Sequence, residues 1–290
     1  MYHIIYNPLS GGGKKKKIHR RALDRFESRG AAFCVHETEL AGQATHLAYS
    51  LTQEGEGDIV VLGGDGTLHE VLCGFSRFDR CALGLVPAGT GNDFAMAAGI
   101  PLVPERAVDL ILDTQPKFTE FMQFPKGVRG INVAGMGIDV EILQRCRNSK
   151  ILKGKFQYII SLIISLFKFK NYKLRVEYGE TVRDFNALIA CVGNGYRIGG
   201  GVPMCPEAKL GDGLLDLVVV DDVKKRSVPA AFIKLMKGKI LQEKFTCFDR
   251  CEKVSVYPER PLVVQGDGEL YEDLPFTAEI VKDTLRMYRV

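Results

Sequence analysis

The chain has 290 residues, of which 46% are hydrophobic, 26% charged and 9% aromatic. This composition excludes an intrinsically disordered chain, a collagen-like fibre and a small disulfide scaffold, and the length predicts two domains of roughly 100–200 residues each. The formal net charge of +4 is too small to indicate a nucleic-acid partner, so no binding of nucleic acid is expected.

The cysteines and the first residues of the sequence predict a cytoplasmic protein. None of the eight cysteines forms a C-x-x-C pair, and most lie in apolar runs, where a buried reduced thiol is expected. The sequence does not open like a secretory signal, because the basic cluster at 14–17 follows a short apolar stretch instead of preceding it. The uncharged run 156–167 has 12 residues, whereas a helix needs about 20 to cross a bilayer.

In chain order, the first part of the sequence alternates apolar runs with helical patterns. Ile18, Ala22, Leu23 and Phe26 have the spacing of one helix face. Strands are predicted at 3–6, 32–36, 58–62 and 83–86, and further helices at 44–51 and 68–75. This alternation is typical of an α/β domain with a parallel sheet and helices on both faces, in which ligands bind at the carboxyl ends of the strands. We expect the domain to cover 1–118 and to include 284–290.

The rest of the sequence predicts a β-rich, sandwich-like domain over 119–283. Its apolar runs are separated by glycine, proline or aspartate turns, as in antiparallel sheets. Residues 285–290 can add a strand to either domain. The predicted strands are 131–134, 173–178, 185–192, 214–220, 253–257, 261–265 and 276–282.

A glycine-rich loop, Gly63-Gly64-Asp65-Gly66-Thr67, follows a predicted strand and precedes a helix. Glycines allow a tight turn and a close approach of the backbone, and the N–H groups at the helix start bind anions. Asp65 suits such a site if a cation accompanies the phosphate, which indicates a magnesium–nucleotide complex. The alternative is a tight turn in which Asp65 caps the helix.

Two more loops end predicted strands in the same domain. Asn7-Pro8-Leu9-Ser10-Gly11 ends the first strand, and residues 87–94, PAGTGNDF, end another. Thr90 or Asn92 can cap the helix that follows the second loop, but a cap does not require the whole GTGND sequence. Neither loop is a Walker A motif.

The motifs NPxSGxxK at the start, GGDGT at 63–67 and PAGTGNDF at 87–94 together resemble the diacylglycerol-kinase catalytic family. More narrowly, the chain resembles its bacterial soluble lipid kinases, which are related to sphingosine kinases and more distantly to NAD kinases. The resemblance covers essentially the whole chain. It implies an enzyme that transfers the γ-phosphate of ATP, with Mg²⁺, to the hydroxyl of a diacylglycerol-like lipid.

The resemblance also implies the nucleotide site. Asp65 would orient Mg²⁺ and act in catalysis, and Asp93 would support that network. The residues expected to bind ATP are Asn7, Ser10, Gly11, Thr38, Gly63, Gly64, Asp65, Gly66, Thr67, Thr90, Asn92 and Asp93.

Three loops of the second domain carry further expectations. Gly266-Asp267-Gly268-Glu269 reads from its composition as a hairpin turn. The resemblance implies instead that Glu269 is the general base for the lipid hydroxyl, with Asp267 beside it as a second catalytic residue. Residues 132–139, NVAGMGID, resemble an interdomain stretch of the family and receive no role.

The stretch 209–216, KLGDGLLD, resembles a magnesium-binding loop of some bacterial members. The resemblance implies three ligands: the Asp212 side chain and the main-chain carbonyls of Lys209 and Leu214. Oxygen ligands suit magnesium. The alternative is a simple Asp-Gly turn.

A basic and apolar segment lies in the second domain. Residues 145–175 contain nine Lys or Arg and no Asp or Glu, with eight large apolar residues between 156 and 167. Such a segment suits peripheral contact with an anionic membrane surface. The alternative is a buried helix whose Ser161 and Ser165 face solvent.

Two other functions remain open from the sequence. One is a NAD kinase, which shares GGDGT, and the other is a non-catalytic regulator that binds nucleotide or lipid. The motifs do not choose the acceptor lipid, and a homodimer stays open.

Overall fold

The computed structural model describes residues 1–8, 13–55, 57–148, 160–161, 163–165 and 170–290. Two compact units make up the chain: Met1–Glu120 with Lys282–Val290, and Phe121–Val281. Two of the expected ATP-binding residues, Ser10 and Gly11, lie outside the described residues, as does most of the apolar run 156–167.

The first unit is an α/β structure. Its elements are β1 (Tyr2–Tyr6), α1 (Gly13–Ser28), β2 (Phe33–Glu37), α2 (Gln43–Glu54), β3 (Asp58–Gly63), α3 (Asp65–Gly74), β4 (Leu83–Pro87), α4 (Asp93–Ala97) and α5 (Pro104–Asp113). The four strands are parallel and lie in the order β4-β3-β1-β2. The predicted parallel α/β fold of this part of the chain is confirmed.

The strands β1, β3 and β4 of the first unit are buried on both faces, whereas the edge strand β2 contains no buried residue. Consecutive residues of β3, from Ile59 to Leu62, are all nearly inaccessible to solvent, although neighbouring side chains in a strand point to opposite faces. Ala22 and Phe26 of α1 and Ala107 and Val108 of α5 belong to the same core. Burial on both faces is typical of parallel sheets and explains why β3 reads as a continuous apolar run.

The second unit is built mainly from antiparallel strands. Its elements are β5 (Lys117–Gln123), β6 (Arg129–Gly130), β7 (Val133–Gly137), α6 (Ile138–Asn148), β8 (Tyr172–Tyr178), β9 (Thr181–Gly193), β10 (Leu215–Asp221), α7 (Val228–Met236), β11 (Thr246–Cys251), β12 (Lys253–Pro258), β13 (Val264–Gly266), β14 (Glu269–Tyr271) and β15 (Phe276–Met287). β5 begins and β15 ends in residues of the first unit. The strand order is β14-β13-β7-β9-β8-β12-β15, and β10 lies between β9 and β11. The predicted β-rich second part is confirmed.

Several boundaries in the second unit differ from the predictions. The predicted strand 261–265 begins only at Val264, after Pro261, which lacks the N–H that a strand ladder uses. The predicted strands 276–282 and 285–290 are one strand, β15, that ends at Met287. Helices α6 and α7 were not predicted, because they are short and lie between segments with strand patterns.

Alternate residues of the second-unit strands pack into two separate cores. Ala134 of β7 and Leu217 of β10 belong to one core, whereas their neighbours Val133 and Val218 belong to the other. The second of these cores also contains residues of α6 and α7. Both faces of this part of the sheet are therefore covered, and α6 and α7 cover one of them.

Candidate active site

Four loops of the first unit start at the same edge of its parallel sheet. The strand ends pair in register, Tyr6 of β1 with Glu37 of β2 and Gly63 of β3 with Pro87 of β4. Because parallel strands end at one edge, the residues that follow them lie along that edge. The expected ATP-binding residues found there are Asn7, Thr38, Gly63, Gly64, Asp65, Gly66, Thr67, Thr90, Asn92 and Asp93.

The GGDGT and GTGND loops touch through their glycines. The Ala88 N–H donates to the Gly63 carbonyl at 2.7 Å. A Cβ atom on Gly64 would lie 2.8 Å from Cα of Gly89, and one on Gly89 would lie 2.5 Å from Cα of Gly64. Real Cβ atoms do not approach main-chain atoms so closely, so both positions require glycine for the two backbones to meet.

Asp65 joins the two loops. Its Oδ2 accepts the Asp93 N–H and its Oδ1 accepts the Phe94 N–H, both at 3.2 Å. These N–H groups belong to the first turn of α4, whose amino-terminal donors have no partner within the helix. Asp65 thus caps α4, which begins 28 residues further along the chain, and not α3, which begins at Asp65 itself. A carboxylate oxygen that accepts one N–H bond can still coordinate a cation through its second lone pair.

Asn92 shapes the GTGND loop and does not cap α4 with its side chain. Its backbone has φ of 53°, and its side-chain amide bonds the Gly89 main chain in both directions: Oδ1 accepts the Gly89 N–H at 2.8 Å and Nδ2 donates to the Gly89 carbonyl at 3.2 Å. Thr90 is exposed in the middle of this closed turn, and Asp93 is buried. The loop therefore presents a hydroxyl to solvent on a backbone held by Asn92 and Asp65.

Thr38 and Thr67 are held by contacts within the first unit. The buried Thr38 donates both its N–H, at 2.9 Å, and its hydroxyl, at 3.4 Å, to the carbonyl of Tyr6. The Thr67 side chain lies against Gly63, where a Cβ atom would come within 2.9 Å of it. Gly64 through Thr67 are half-buried, so this loop remains accessible to a ligand.

In the second unit, residues 266–269 form the turn of a hairpin. Gly266 at the end of β13 pairs with Glu269 at the start of β14, and the two residues between them have positive φ, 51° at Asp267 and 94° at Gly268. A two-residue turn of this kind is the preferred connection between antiparallel strands. The backbone therefore forms the hairpin turn that the composition predicts. The side chains of the turn make further contacts.

Asp267 binds three main-chain N–H groups of a distant segment. Its Oδ2 accepts from Ile131 at 2.8 Å, and its Oδ1 accepts from Asn132 at 2.9 Å and Val133 at 3.1 Å. Its own N–H donates to the Val133 carbonyl at 3.0 Å. These bonds hold the turn against the residues that lead into β7. Glu269, the other carboxylate of the motif, is half-buried at the start of β14.

A small apolar pocket with a cavity volume of about 60 Å³ lies in the second unit. Residues of α6, β9, β10 and α7 line it, together with loop residues between Ile198 and Met204. Among the described lining residues, Asp139 of α6 is the one charged side chain. Its lining, apolar apart from one carboxyl group, has the composition of a site that contacts a largely apolar molecule.

Asp139 is almost completely buried, with 2% of its surface exposed. Neither carboxylate oxygen has a hydrogen-bond partner in suitable geometry among the described residues. Burial raises the pKa of Asp139 from 3.8 to about 7, against smaller opposing effects of the Val140 peptide and the Gln265 side chain nearby. A Cβ atom on Gly135 would collide with Oδ2, so the glycine in AGMG makes room for this carboxyl group.

The stretch containing Asp139 received no role from its sequence. The available signal was a carboxylate between two aliphatic residues, Ile138 and Val140, directly after a glycine-rich strand. That pattern predicts burial in a helix or strand, but the apolar wall opposite it comes from β10 and α7, far along the chain.

The loop expected to bind magnesium makes a tight turn. Asp212 is exposed, and its Oδ1 accepts the Leu214 N–H at 3.1 Å. Its donor set, one carboxylate and two main-chain carbonyls, has the oxygen chemistry that magnesium prefers. Within the described ranges, no three or more His, Cys, Asp or Glu residues are grouped as a metal site.

The described part of the basic and apolar segment exposes isoleucines and buries serines. Ile160, Ile163 and Ile164 are each more than one third exposed, whereas Ser161 and Ser165 are buried. Ser165 accepts a hydrogen bond from Arg145 at 3.3 Å. The alternative in which these serines face solvent is therefore wrong. No helix in the described parts of the chain has the length and hydropathy to span a bilayer.

Comparison with known protein families accounts for nearly the whole chain. Residues 1–124 match the diacylglycerol kinase catalytic domain, and residues 132–289, more than half of the chain, match the YegS C-terminal NAD kinase beta sandwich-like domain. The chain belongs to the diacylglycerol-kinase catalytic family. The predicted family is confirmed, and this membership makes the protein a kinase of the lipid-kinase class and implies ATP as its phosphate donor.

Individual relatives are similar over nearly their full length. The chain is 29% identical over 279 residues to a diacylglycerol kinase of Bacillus subtilis (strain 168), covering 94% of this chain and 90% of the relative. It is also 29% identical to a protein of Xanthomonas euvesicatoria named "Probable lipid kinase YegS-like", covering 97% and 94%. The fold is similar to the crystal structure of a diacylglycerol kinase from Bacillus anthracis, with a TM-score of 0.76 at 22% identity over 100% of this chain and 96% of that one.

Proposed function

We propose that this kinase transfers the γ-phosphate of ATP to the hydroxyl group of diacylglycerol or of a lipid alcohol of similar shape. The observation that carries the choice of acceptor is the apolar pocket with the buried carboxyl of Asp139. Nucleotide binding is assigned to a domain of residues 1–118 with 284–290, and lipid binding to residues 119–283.

On the nucleotide side, the N–H groups of Gly64, Gly66 and Thr67 at the start of α3 bind phosphate oxygens, because unpaired N–H groups and the helix dipole favour anions there. Asn7, Thr38, Thr90 and Asn92, at the same edge of the sheet, contact the rest of the nucleotide, together with Ser10 and Gly11. The bonds from Asp65 to the first turn of α4 hold the GGDGT and GTGND loops together. We call these two loops the phosphate loops.

Magnesium is expected with the nucleotide, and the residues present fit it. Asp65 and Asp93 supply carboxylate oxygens beside the phosphate loops, and Mg²⁺ prefers such ligands. When bound, the ion neutralises negative charge on the phosphates. A second magnesium ion held by Asp212 and the carbonyls of Lys209 and Leu214 would stiffen the turn before β10.

On the acceptor side, Glu269 accepts the proton of the lipid hydroxyl as it attacks the phosphate. Asp267 acts as a positioning residue, since three main-chain N–H groups donate to its carboxylate and hold the turn in place. Asp139, with a pKa of about 7, carries a proton in a large fraction of molecules near neutral pH and can donate a hydrogen bond to a lipid oxygen. The aliphatic walls of the pocket contact part of the acyl chain.

The acceptor lies in a membrane, so the kinase works at a membrane surface. The exposed isoleucines at 160, 163 and 164, within a segment that has no acidic residue between 145 and 175, support peripheral contact with anionic lipids from the cytoplasmic side.

The test of the base compares Glu269→Gln with Glu272→Gln, an exposed carboxylate three residues along the same hairpin. Turnover of diacylglycerol with labelled ATP should fall about 10²–10⁴-fold in Glu269→Gln, because a positioned base contributes about that factor. The KM for ATP should not change, and Glu272→Gln should match the parent. Near-parent turnover in Glu269→Gln would refute the assignment of the base.

The acceptor is identified by incubating the parent with labelled ATP and a lipid panel that includes NAD. A phosphorylated diacylglycerol or related lipid alcohol is the expected product. Phosphorylation of NAD alone would favour the NAD-kinase alternative, and no labelled product from any acceptor would favour a binding protein without activity.

A further inference from the structure

Helix α7 has apolar residues on both of its faces. One face lines the apolar pocket with residues at the spacing i, i+3, i+4 and i+7: Val228, Ala231, Phe232 and Leu235. The opposite face contains Pro229, Ala230, Ile233 and Met236, all exposed, with Ile233 at 54% and Met236 at 38%. A helix that is apolar all round is normally covered on all sides, by protein or by membrane. The second face of α7 therefore has the composition of a contact surface.

The sequence in and around α7 is strongly basic. Residues 224–239 contain six Lys or Arg and no Asp or Glu: Lys224, Lys225, Arg226, Lys234, Lys237 and Lys239. Lys237 and Lys239 follow α7 directly and are exposed. Lys234 forms an ion pair with Glu243, so at least one cation of the group is already compensated within the unit.

We propose that the outer face of α7 and the basic residues around it dock the kinase on an anionic bilayer surface. Apolar side chains enter the headgroup region while lysines beside them attract anionic lipids, as in interfacial helices. A protein partner fits less well, because lysine is depleted at protein–protein interfaces. This docking surface differs from the segment 145–175 in sequence.

The proposal rests on the proposed lipid-kinase function, and it explains a feature of the pocket. The inner face of α7 is a wall of the cavity assigned to the acyl chain. If the outer face of the same helix lies in the headgroup region, a single nine-residue helix separates the cavity from the membrane that contains the substrate. A lipid then reaches the cavity without passing through water.

The test is flotation of the full chain with vesicles, without ATP, so that binding is read independently of catalysis. Vesicles of phosphatidylcholine alone are compared with an equimolar mixture of phosphatidylcholine and phosphatidylglycerol. The double variant Ile233→Gln/Met236→Gln should bind the mixed vesicles at least about tenfold more weakly, because two half-exposed apolar side chains are lost. The double variant Lys237→Gln/Lys239→Gln should lose about thirtyfold at low salt, equivalent to about 1 kcal/mol per lysine, and less at high salt.

Matched controls come from the same unit. Val182→Gln removes an equally exposed aliphatic side chain from β9, and Lys253→Gln removes an exposed lysine from β12. Both should bind mixed vesicles like the parent. All variants should phosphorylate a short-chain diacylglycerol that dissolves as monomers at the parent rate, because none of the substituted residues lines the pocket or the phosphate loops.

Parent-level vesicle binding in both double variants would overturn the proposal. So would a result in which Ile233→Gln/Met236→Gln keeps vesicle binding but converts a dimer to a monomer in sedimentation, because the face would then join two copies of the chain. A parent that phosphorylates no lipid would refute the proposed function, while the flotation results would still decide whether α7 docks on the bilayer.

Discussion

The buried carboxyl group of Asp139 should make the stability of the second unit depend on pH in an unusual direction. Its pKa is about 7 in the folded chain, against 3.8 for an ordinary aspartate. Between these values the folded state keeps a proton that the unfolded state has released. The contribution of Asp139 to the free energy of unfolding is therefore greatest below pH 4, and it is lost as the pH rises through 7. The complete effect is about 4 kcal/mol, at about 1.4 kcal/mol for each unit of pKa difference.

Asp139→Asn removes this titration while it keeps the size and polarity of the side chain. We expect the variant to become more stable relative to the parent by about 2 kcal/mol between pH 5 and pH 7, because ionisation of Asp139 costs stability only in the parent. Urea unfolding followed by circular dichroism at pH 5, 6 and 7 measures the difference, provided that the slope with urea is the same in both proteins.

Glu180→Gln is the control, since Glu180 is an exposed carboxylate in the turn between β8 and β9 of the same unit. Its stability should follow that of the parent at every pH. If Asp139→Asn also follows the parent in parallel from pH 5 to pH 7, Asp139 is not a buried carboxyl with a raised pKa. The proposed proton donation to a lipid would then fail with it.

Three further predictions test close contacts and charge. Gly135→Ala should destabilise the protein because its Cβ meets the Asp139 carboxyl group. Adding Asp139→Ala removes that clash, so the two substitutions should be coupled by at least about 1 kcal/mol in the free energy of unfolding. Purely additive effects in urea unfolding would contradict this. Gly89→Ala should raise the KM for ATP at least about tenfold in steady-state kinetics. The reason is that its Cβ would lie 2.5 Å from Cα of Gly64 and push the phosphate loops apart. An unchanged KM would show that the loops need not touch. Burial and the neighbouring His3 lower the pKa of His36 below 6.5, so the stability that His36 contributes is lost as the pH falls below that value. Between pH 7.5 and pH 5.5, the free energy of unfolding should therefore fall less in His36→Gln than in the parent. An equal fall would place the titrating group elsewhere.

The first unit could be predicted from the sequence in some detail because its signals are local. The continuous apolar run of β3 ends directly in glycines, and the next residues begin α3, so strand, loop and helix are readable within about 15 residues. Parallel strands joined by helices then place all the loops at one sheet edge, without knowledge of any side-chain contact. The nucleotide side of the candidate site follows from that topology.

The second unit was less predictable because its elements depend on partners far along the chain. β13 is only three residues long and exists by pairing with β7 and β14, whereas the apolar run in the sequence starts earlier, at Pro261. α6 and α7 are short, and each is stabilised by the sheet that it covers. Their residues alone do not distinguish them from strands.

The sequence by itself determined the family, the class of reaction and the residues at the carboxyl ends of the first four strands, because glycine-rich turns after apolar strands have few structural alternatives. The tertiary structure decided what individual carboxylates do. Asp65 caps a helix from another loop, Asp267 binds the segment before β7, and Asp139 lies in an apolar pocket with a raised pKa. The charge state and hydrogen bonds of a carboxylate depend on the groups around it, and folding brings those groups from distant parts of the chain. The same holds for α7, whose inner and outer faces could be told apart only after the pocket behind it was formed.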